Sequence, residues 1–538
     1  MIIRIDYPQV AVRLDLWGGT SGTFAGLDQF NRVIDQRWQN NTSGTPADID
    51  RYQYGYDRDS NRMWKANVVG TPIVTGGLDE YYTYDRVNRL NQMQRGTLNS
   101  TKTGITGTPS REMDWTLDPT GNWPGYLTKT SGTTDLDQGR TSSKVNEITN
   151  ISESTGPTWV TPAYDAAGNM TTMPQVADPT LGFTATYDAW NRMTGISASG
   201  TQVAKYQYDG RNRRIVKETY TGGTLSETRH FYFTNAWQDV EERVGSSTSM
   251  DRQYAWGVRY VDELVCRDDA IPERLYACQD ANYNVTAIAD TSGSVQERFV
   301  YDPYGTDVVF DGSWSSTTDA YAWTCRFTGR EYDSETQMYL YRRRFYHSLI
   351  GTFATRDPLM AYNSAEAINL FAYVMDNPIT RLDPLGLACT VYFICSLLTS
   401  KASGIGNCDS QCDYSCTETS RTDSFGGTVL CSDVPSPATI SDGQYVAGSL
   451  LCHLTKGSCG RKGTCAPSYN TSRVYMDNDF PGRDCSRSLC VTNCGTVQMI
   501  AKAAIGKLPP GTKQAAQAAA AAAYSVCVNG CNVWCKKP

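Results

Sequence analysis

The chain has 538 residues, 20% of them charged and 40% apolar, which excludes a disordered composition and leaves room for several domains or one unusually large one. Its net charge of −7 divides unevenly: residues 388–538 carry 13 Lys+Arg against 9 Asp+Glu, while the remainder is net −11. An acidic body with so mildly basic a tail argues against nucleic acid as a partner of the body. In chain order, the start (Met1-Ile-Ile-Arg-Ile-Asp-Tyr) has no basic segment followed by an apolar one, so no signal peptide is read there. The most apolar run, Ala388 to Leu398, is too short to span a bilayer.

A repeat then dominates. Tyr56-Asp57-Arg58-Asp59-Ser60-Asn61-Arg62 is echoed at Tyr84 to Leu90, Tyr164 to Met170, Tyr187 to Met193 and Tyr208 to Arg214, with weaker copies at Gly26 to Val33 and Leu117 to Trp123. Successive Asp positions such as 57 and 85, or 165, 188 and 209, lie 21 to 28 residues apart, the period of stacked supersecondary units. The residue types predict a strand ending in Tyr-x-Tyr, a turn built by Asp and a later Gly or Asn, and a return strand. With 33 Tyr, 46 Gly and no heptads, strands are favoured over helices. A hairpin cannot bury a face alone, so neighbouring units must continue the sheet.

These residues resemble the tyrosine-aspartate (YD) repeat of the rearrangement-hotspot (RHS) family over roughly residues 1–387. The likeness sharpens at Tyr301-Asp302-Pro303-Tyr304-Gly305 and across Arg326–Leu387, which is similar to the family's repeat-associated core and ends in Asp-Pro-Leu-Gly-Leu. The resemblance implies a mainly β fold in which residues 1–325 spiral into a large hollow β-shell. It further implies that residues 326–387 plug one end, and that the following polypeptide, residues 388–538, is a variable module enclosed by the shell and often toxic. Periodicity alone supports only a long curved sheet of hairpins.

Two Asp-Pro pairs mark the core segment, Asp357-Pro358 and Asp383-Pro384. Two carboxylic acids held close share a proton, so that one serves as acid and the other as base. In self-cleaving RHS proteins a pair of Asp-Pro-x-Gly-Leu motifs supplies such a dyad and the chain is cut after the second motif's leucine. Carried over, the resemblance makes Asp357 and Asp383 the catalytic candidates, with Arg356 as the neighbouring orienting charge and Leu387–Ala388 as the scissile bond. The second motif is intact. The first reads Asp357-Pro358-Leu359-Met360-Ala361, lacking the glycine and the leucine, and Tyr362 to Glu366 lengthens the spacer. The alternative is that both Asp residues cap turns before proline.

Fifteen of the 18 cysteines follow Leu387. The spacing Cys408-x3-Cys412-x3-Cys416 recurs at Cys490-x3-Cys494, preceded by Cys485, and at Cys527-x3-Cys531-x3-Cys535. On a helix such positions share one face, and the Ala- and Gln-rich run 513–524 is expected to be helical. A small, partly α-helical, disulfide-stapled module is therefore expected, with these nine cysteines as candidates and Cys389 as the odd thiol. Zinc is the rival, but no Cys-x2-Cys occurs and His453 is the tail's single histidine, so no metal or cofactor is expected. No catalytic constellation is read in the tail, since neither His453 nor the pair Asp477 and Asp479 forms one.

Cysteine density favours an oxidising compartment, and with no export signal at Met1 the expectation is a secreted or surface protein whose signal lies upstream. Three functions fit: a shell delivering residues 388–538 as a toxin, with an immunity protein as a further partner; a non-enzymatic surface scaffold whose disulfide module binds a cell-surface target; and the remnant of a longer protein capped by its tail.

Overall fold

The computed structural model describes residues 4–7, 12–16, 25–42, 45–270, 274–358 and 369–387. It also describes the backbone of strands Tyr392–Ala402, Ser410–Glu418, Ser424–Leu430 and Tyr445–Ala447. Among the described residues there is no α-helix, only two 3-10 turns at Phe327–Gly329 and Val374–Asp376. No helix there is long and apolar enough to cross a membrane, which says nothing of crossing by strands.

Strands in sequence order build an 11-stranded antiparallel sheet from Arg4–Tyr7 to Ile148–Thr155 and a 14-stranded one from Ala163–Tyr164 to Asp307–Asp311. Neither sheet closes on itself. A four-stranded sheet, Glu331–Asp333 to Thr352–Phe353, follows within the core segment.

One local device repeats throughout. At Asp85 the Oδ1 atom accepts the Val87 and Arg89 N–H groups, both at 2.9 Å, while Arg89 Nε donates to Oδ2 at 2.7 Å. Asn88 takes the left-handed conformation at φ 64°, the residue that ends a three-residue hairpin loop in a bulge. The residue four after the Asp also reaches the next turn. Arg192 Nη1 donates to Asp209 O at 3.2 Å, and Asn169 Nδ2 to Asn191 Oδ1 at 3.0 Å. In several repeats the tyrosine before the Asp ties the unit backwards: Tyr84 OH donates to Arg62 O, Tyr187 OH to Met170 O and Tyr208 OH to Met193 O, each at 2.7 Å. Each of these accepting carbonyls lies five residues past the preceding repeat's Asp. At these positions the Tyr hydroxyl satisfies a backbone carbonyl that a phenyl ring would leave bare.

The two large sheets meet by their faces. Tyr7 stacks on Tyr276 with ring centroids 5.7 Å apart, and Trp38 Nε1 donates to Gln279 O at 2.8 Å. Thr286 Oγ1 donates to Asp50. The core segment packs on both sheets. His347 Nε2 hydrogen-bonds Pro174 O at 2.7 Å, Asn377 Nδ2 donates to Asn88 O at 2.8 Å, and Asp333 receives the buried Arg214 and Lys217. Tyr341, Tyr346, Phe353 and Tyr373 form its aromatic centre.

The tail corrects one expectation. Cys412 and Cys416 lie on the strand Ser410–Glu418, not on a helix, and Cys416 is in register with Cys395 on the antiparallel strand Tyr392–Ala402. A spacing of four is even, so it keeps one parity along a strand as readily as it keeps one face of a helix, and the Ser, Thr, Tyr and Cys around it favour the strand. No disulfide is seen among the described residues, where Cys266, Cys278 and Cys325 are buried free thiols. Cys408, Cys485, Cys490, Cys494, Cys527, Cys531, Cys535 and the run 513–524 lie outside the described residues, as do Ala388 and Cys389.

Candidate self-cleavage site in the core segment

The strand Arg344–His347 is buried along its whole length, so Arg344 enters the interior charged and needs partners there. It finds two. Arg344 Nη2 lies 2.9 Å from Asp357 Oδ2 and 3.4 Å from Asp383 Oδ2, and all three side chains are at most 2% exposed. The guanidinium also sits 3.6 Å from the Phe353 ring centroid, and its Nε donates to Gly386 O at 2.6 Å. Asp357 is placed by its own N–H, which donates to Leu370 O at 3.0 Å.

Asp383 repeats the turn of the shell. Its Oδ1 accepts Leu385 N–H at 3.2 Å and Leu387 N–H at 3.1 Å, the same two-and-four spacing, with Gly386 left-handed at φ 66°. One feature differs. Position four is Leu387 rather than Arg or Asn, so Oδ2 has no donor within its own turn and faces Arg344 instead. Burial pushes the Asp383 carboxyl above its ordinary range, with Asp357 adding to the rise, while Arg344, the Leu387 N–H and Arg330 pull against it. Burial lowers the Arg344 guanidinium, and the two carboxylates oppose that.

The backbone before the Leu387–Ala388 bond is held from the other side. Arg330 Nη2 donates to Pro384 O at 2.8 Å and Asp383 O at 3.3 Å, and Arg342 Nη1 donates to Pro384 O as well. Leu387 itself is 4% exposed.

The structure thus brings Asp357 and Asp383 together but does not bring Arg356 to them. The Arg356 guanidinium pairs with Glu147 of the first sheet and lies 6.0 Å from the Phe371 ring. Met360 and the spacer Tyr362 to Glu366 lie outside the described residues. Arg330, Arg342, Arg344 and the shell's Asp262 were not singled out from the sequence. The available signal was the run Arg342-Arg343-Arg344 inside an otherwise apolar Tyr- and Phe-rich stretch.

Residues 163–379 match the family model Teneurin YD-shell. The fold is similar to that of a chain in the crystal structure of TcdB2-TccC3, with a TM-score of 0.53 at 18% identity, over 72% of this chain and 19% of that one. Over that span the chain resembles the YD-repeat proteins of the RHS type. The chain is 27% identical over 227 residues to the tRNA3(Ser)-specific nuclease WapA of Bacillus spizizenii, covering 42% of this chain and 9% of that protein. It is 24% identical over 249 residues to the double-stranded DNA deaminase toxin A of Burkholderia cenocepacia, covering 38% and 17%. The matches therefore span less than a fifth of the length of each of these proteins.

Proposed function

We propose that the chain is the shell portion of a polymorphic-toxin-type protein, secreted or displayed at the cell surface, and that it encloses or displays residues 388–538 as its variable module. In this reading residues 1–325 wall a hollow compartment, residues 326–387 plug it, and an immunity protein guards the producing cell. Similarity to a nuclease and a deaminase toxin supports the class of protein; neither name assigns an activity to residues 388–538.

The chain severs its own Leu387–Ala388 bond in this proposal. The observation that carries it is the convergence of two buried carboxylates on Arg344, with the Leu387 N–H bonded to one of them. The pair shares one proton. The ionised member takes a proton from water as it attacks the Leu387 carbonyl, the protonated member donates, the C–N bond breaks, and the Ala388 amine leaves with a proton. Expression of the full chain, followed by intact mass and N-terminal sequencing, tests this. A new terminus at Ala388 that is lost in both Asp383→Asn and Asp357→Asn supports the reading; unchanged processing in either variant sinks it.

A second reading, a non-enzymatic surface scaffold, has in its favour a 33% identity over 101 residues to salivary gland surface protein 1 of Aedes aegypti, which covers 19% of this chain and 3% of that protein. Growth arrest by the full chain but not by a chain ending at Leu387 separates the two in favour of the toxin.

A further inference from the structure

We infer that Asp262, a shell residue outside the carboxylate pair, is the positioning residue that sets the Asp383–Leu387 peptide for scission and makes scission depend on the joining of the two large sheets. The inference rests on the self-cleavage reading above.

Asp262 is 2% exposed and lies just before the strand Leu264–Asp269. Each of its carboxylate oxygens is taken by a guanidinium: Oδ2 by Arg330 at 2.6 Å and Oδ1 by Arg342 at 2.9 Å. Those two arginines are the ones that donate to the Asp383 and Pro384 carbonyls. With Arg344 on Gly386 O, three of the four carbonyls from Asp383 to Gly386 are gripped. A guanidinium on a long stem loses its aim without a fixed counter-charge, and a displacement of about 1 Å at a reacting peptide costs on the order of a hundredfold in rate. Asp262 supplies the fixed charge. Backbone contact locks it further: a Cβ on Gly329, at φ 69°, would meet Asp262 O at 2.6 Å.

Asp262 is itself held by the sheet junction. Its carbonyl accepts Gln279 Nε2 at 3.0 Å, and Gln279 Oε1 accepts the Leu264 N–H at 3.1 Å. The Gln279 carbonyl in turn accepts two donors of the first sheet, the Trp38 indole N–H at 2.8 Å and Gln36 Nε2 at 2.5 Å, across 241 and 243 residues of chain. One hydrogen-bonded path therefore runs from the first sheet through Gln279 and Asp262 to Arg330, Arg342 and the Pro384 carbonyl. Until the first sheet docks on the second, the Gln279 carbonyl lacks the Trp38 and Gln36 donors that fix it. The peptide then lacks its register beside Asp357 and Asp383, and the chain is not cut before its container is assembled.

The test follows processing of the full chain, using the folded fraction isolated by size exclusion, across a pH series. Asp383→Asn serves as the uncut reference; if it is processed like the parent, the self-cleavage reading fails, and that result is distinct from failure of this inference. Asp262→Asn is expected to lower the plateau of the pH–rate profile about tenfold or more. Asp262→Glu is expected to recover part of the rate. A folded Asp262→Asn chain cut at the parent rate overturns the positioning role, as does a variant whose only change is a lower melting temperature. Should Asp262→Asn yield no folded chain, Arg342→Gln, which leaves the Asp262–Arg330 pair in place, carries the same expectation and the same overturning result. Trp38→Phe combined with Gln36→Leu removes both first-sheet donors to the Gln279 carbonyl; processing at the parent rate there overturns the link to sheet joining.

Discussion

Arg344 Nη2 lies 2.9 Å from Asp357 Oδ2, and the same nitrogen is 3.4 Å from Asp383 Oδ2, so one buried cation holds two Asp-Pro turns. Replacing it with methionine removes the charge that both carboxylates face and leaves two like charges buried together. Arg344→Met is expected to lower stability by about 3–5 kcal/mol at pH 7, the cost of breaking a buried ion pair. Burial raises the Asp383 carboxyl, and its protonation relieves the repulsion, so the deficit shrinks at pH 4. Urea unfolding at both pH values checks the size and the sign.

The repeating turn predicts a smaller, local effect. Asp188 accepts the Trp190 and Arg192 N–H groups at 2.9 and 3.0 Å and pairs with Arg192 Nε at 2.7 Å. Asp188→Ala unmakes all three, with a rim position that lets water replace part of the loss. A cost of about 1–2 kcal/mol is expected. Because Arg192 also reaches Asp209 O, amide exchange should quicken in the next turn as well. Exchange confined to residues 188–192 contradicts the ladder.

These two cases also mark what the sequence made legible. The Asp188 turn was readable because its partners lie two and four residues away, within a repeated motif. The tyrosine hydroxyls were not, since each meets a carbonyl of the preceding hairpin that no local pattern names. The two Asp-Pro residues were found through the family likeness, but their cation was assigned to the adjacent Arg356, whose side chain goes to Glu147. Arg344 is 39 residues from Asp383, and Asp262 is 80 from Arg342. Contacts that long are set by how the sheets meet, not by spacing. Cys412 and Cys416 were misplaced on a helix for a different reason: a four-residue period does not distinguish a helix face from a strand.

Gly386 offers a backbone test. It sits at φ 66°, where a side chain is strained, and a Cβ there would collide with the Tyr341 carbonyl oxygen. Gly386→Ala is therefore expected to push the Asp383–Leu387 turn off Arg344 and to destabilise by about 1–3 kcal/mol. Gly200→Ala is the matched control: φ is 78°, yet nothing lies within 4 Å of the added Cβ. Thermal melts of the two variants separate collision from conformational strain, and the Gly386 variant should melt lower.

Asp376 gives a pH dependence with a definite sign. It ends a left-handed turn, Val374 to Asp376, with φ values of 43°, 52° and 56°. Its carboxyl is buried against the Trp123 indole N–H at 3.5 Å, close to the backbone of Gly121. Burial raises its pKa to about 7; the Trp123 N–H and Arg89 oppose the rise, and Asp118 and Asp85 add to it. A carboxyl raised in the folded state binds its proton more tightly there than in the unfolded chain. Its contribution to stability is full below the unfolded value near 4 and is lost as pH climbs through about 7. Asp376→Asn keeps the shape without the charge, so it should match the parent at pH 4 and exceed it at pH 8. Melting temperatures of the two chains from pH 4 to 8 measure this difference directly, and parallel curves would show that Asp376 carries its charge in the fold at no cost.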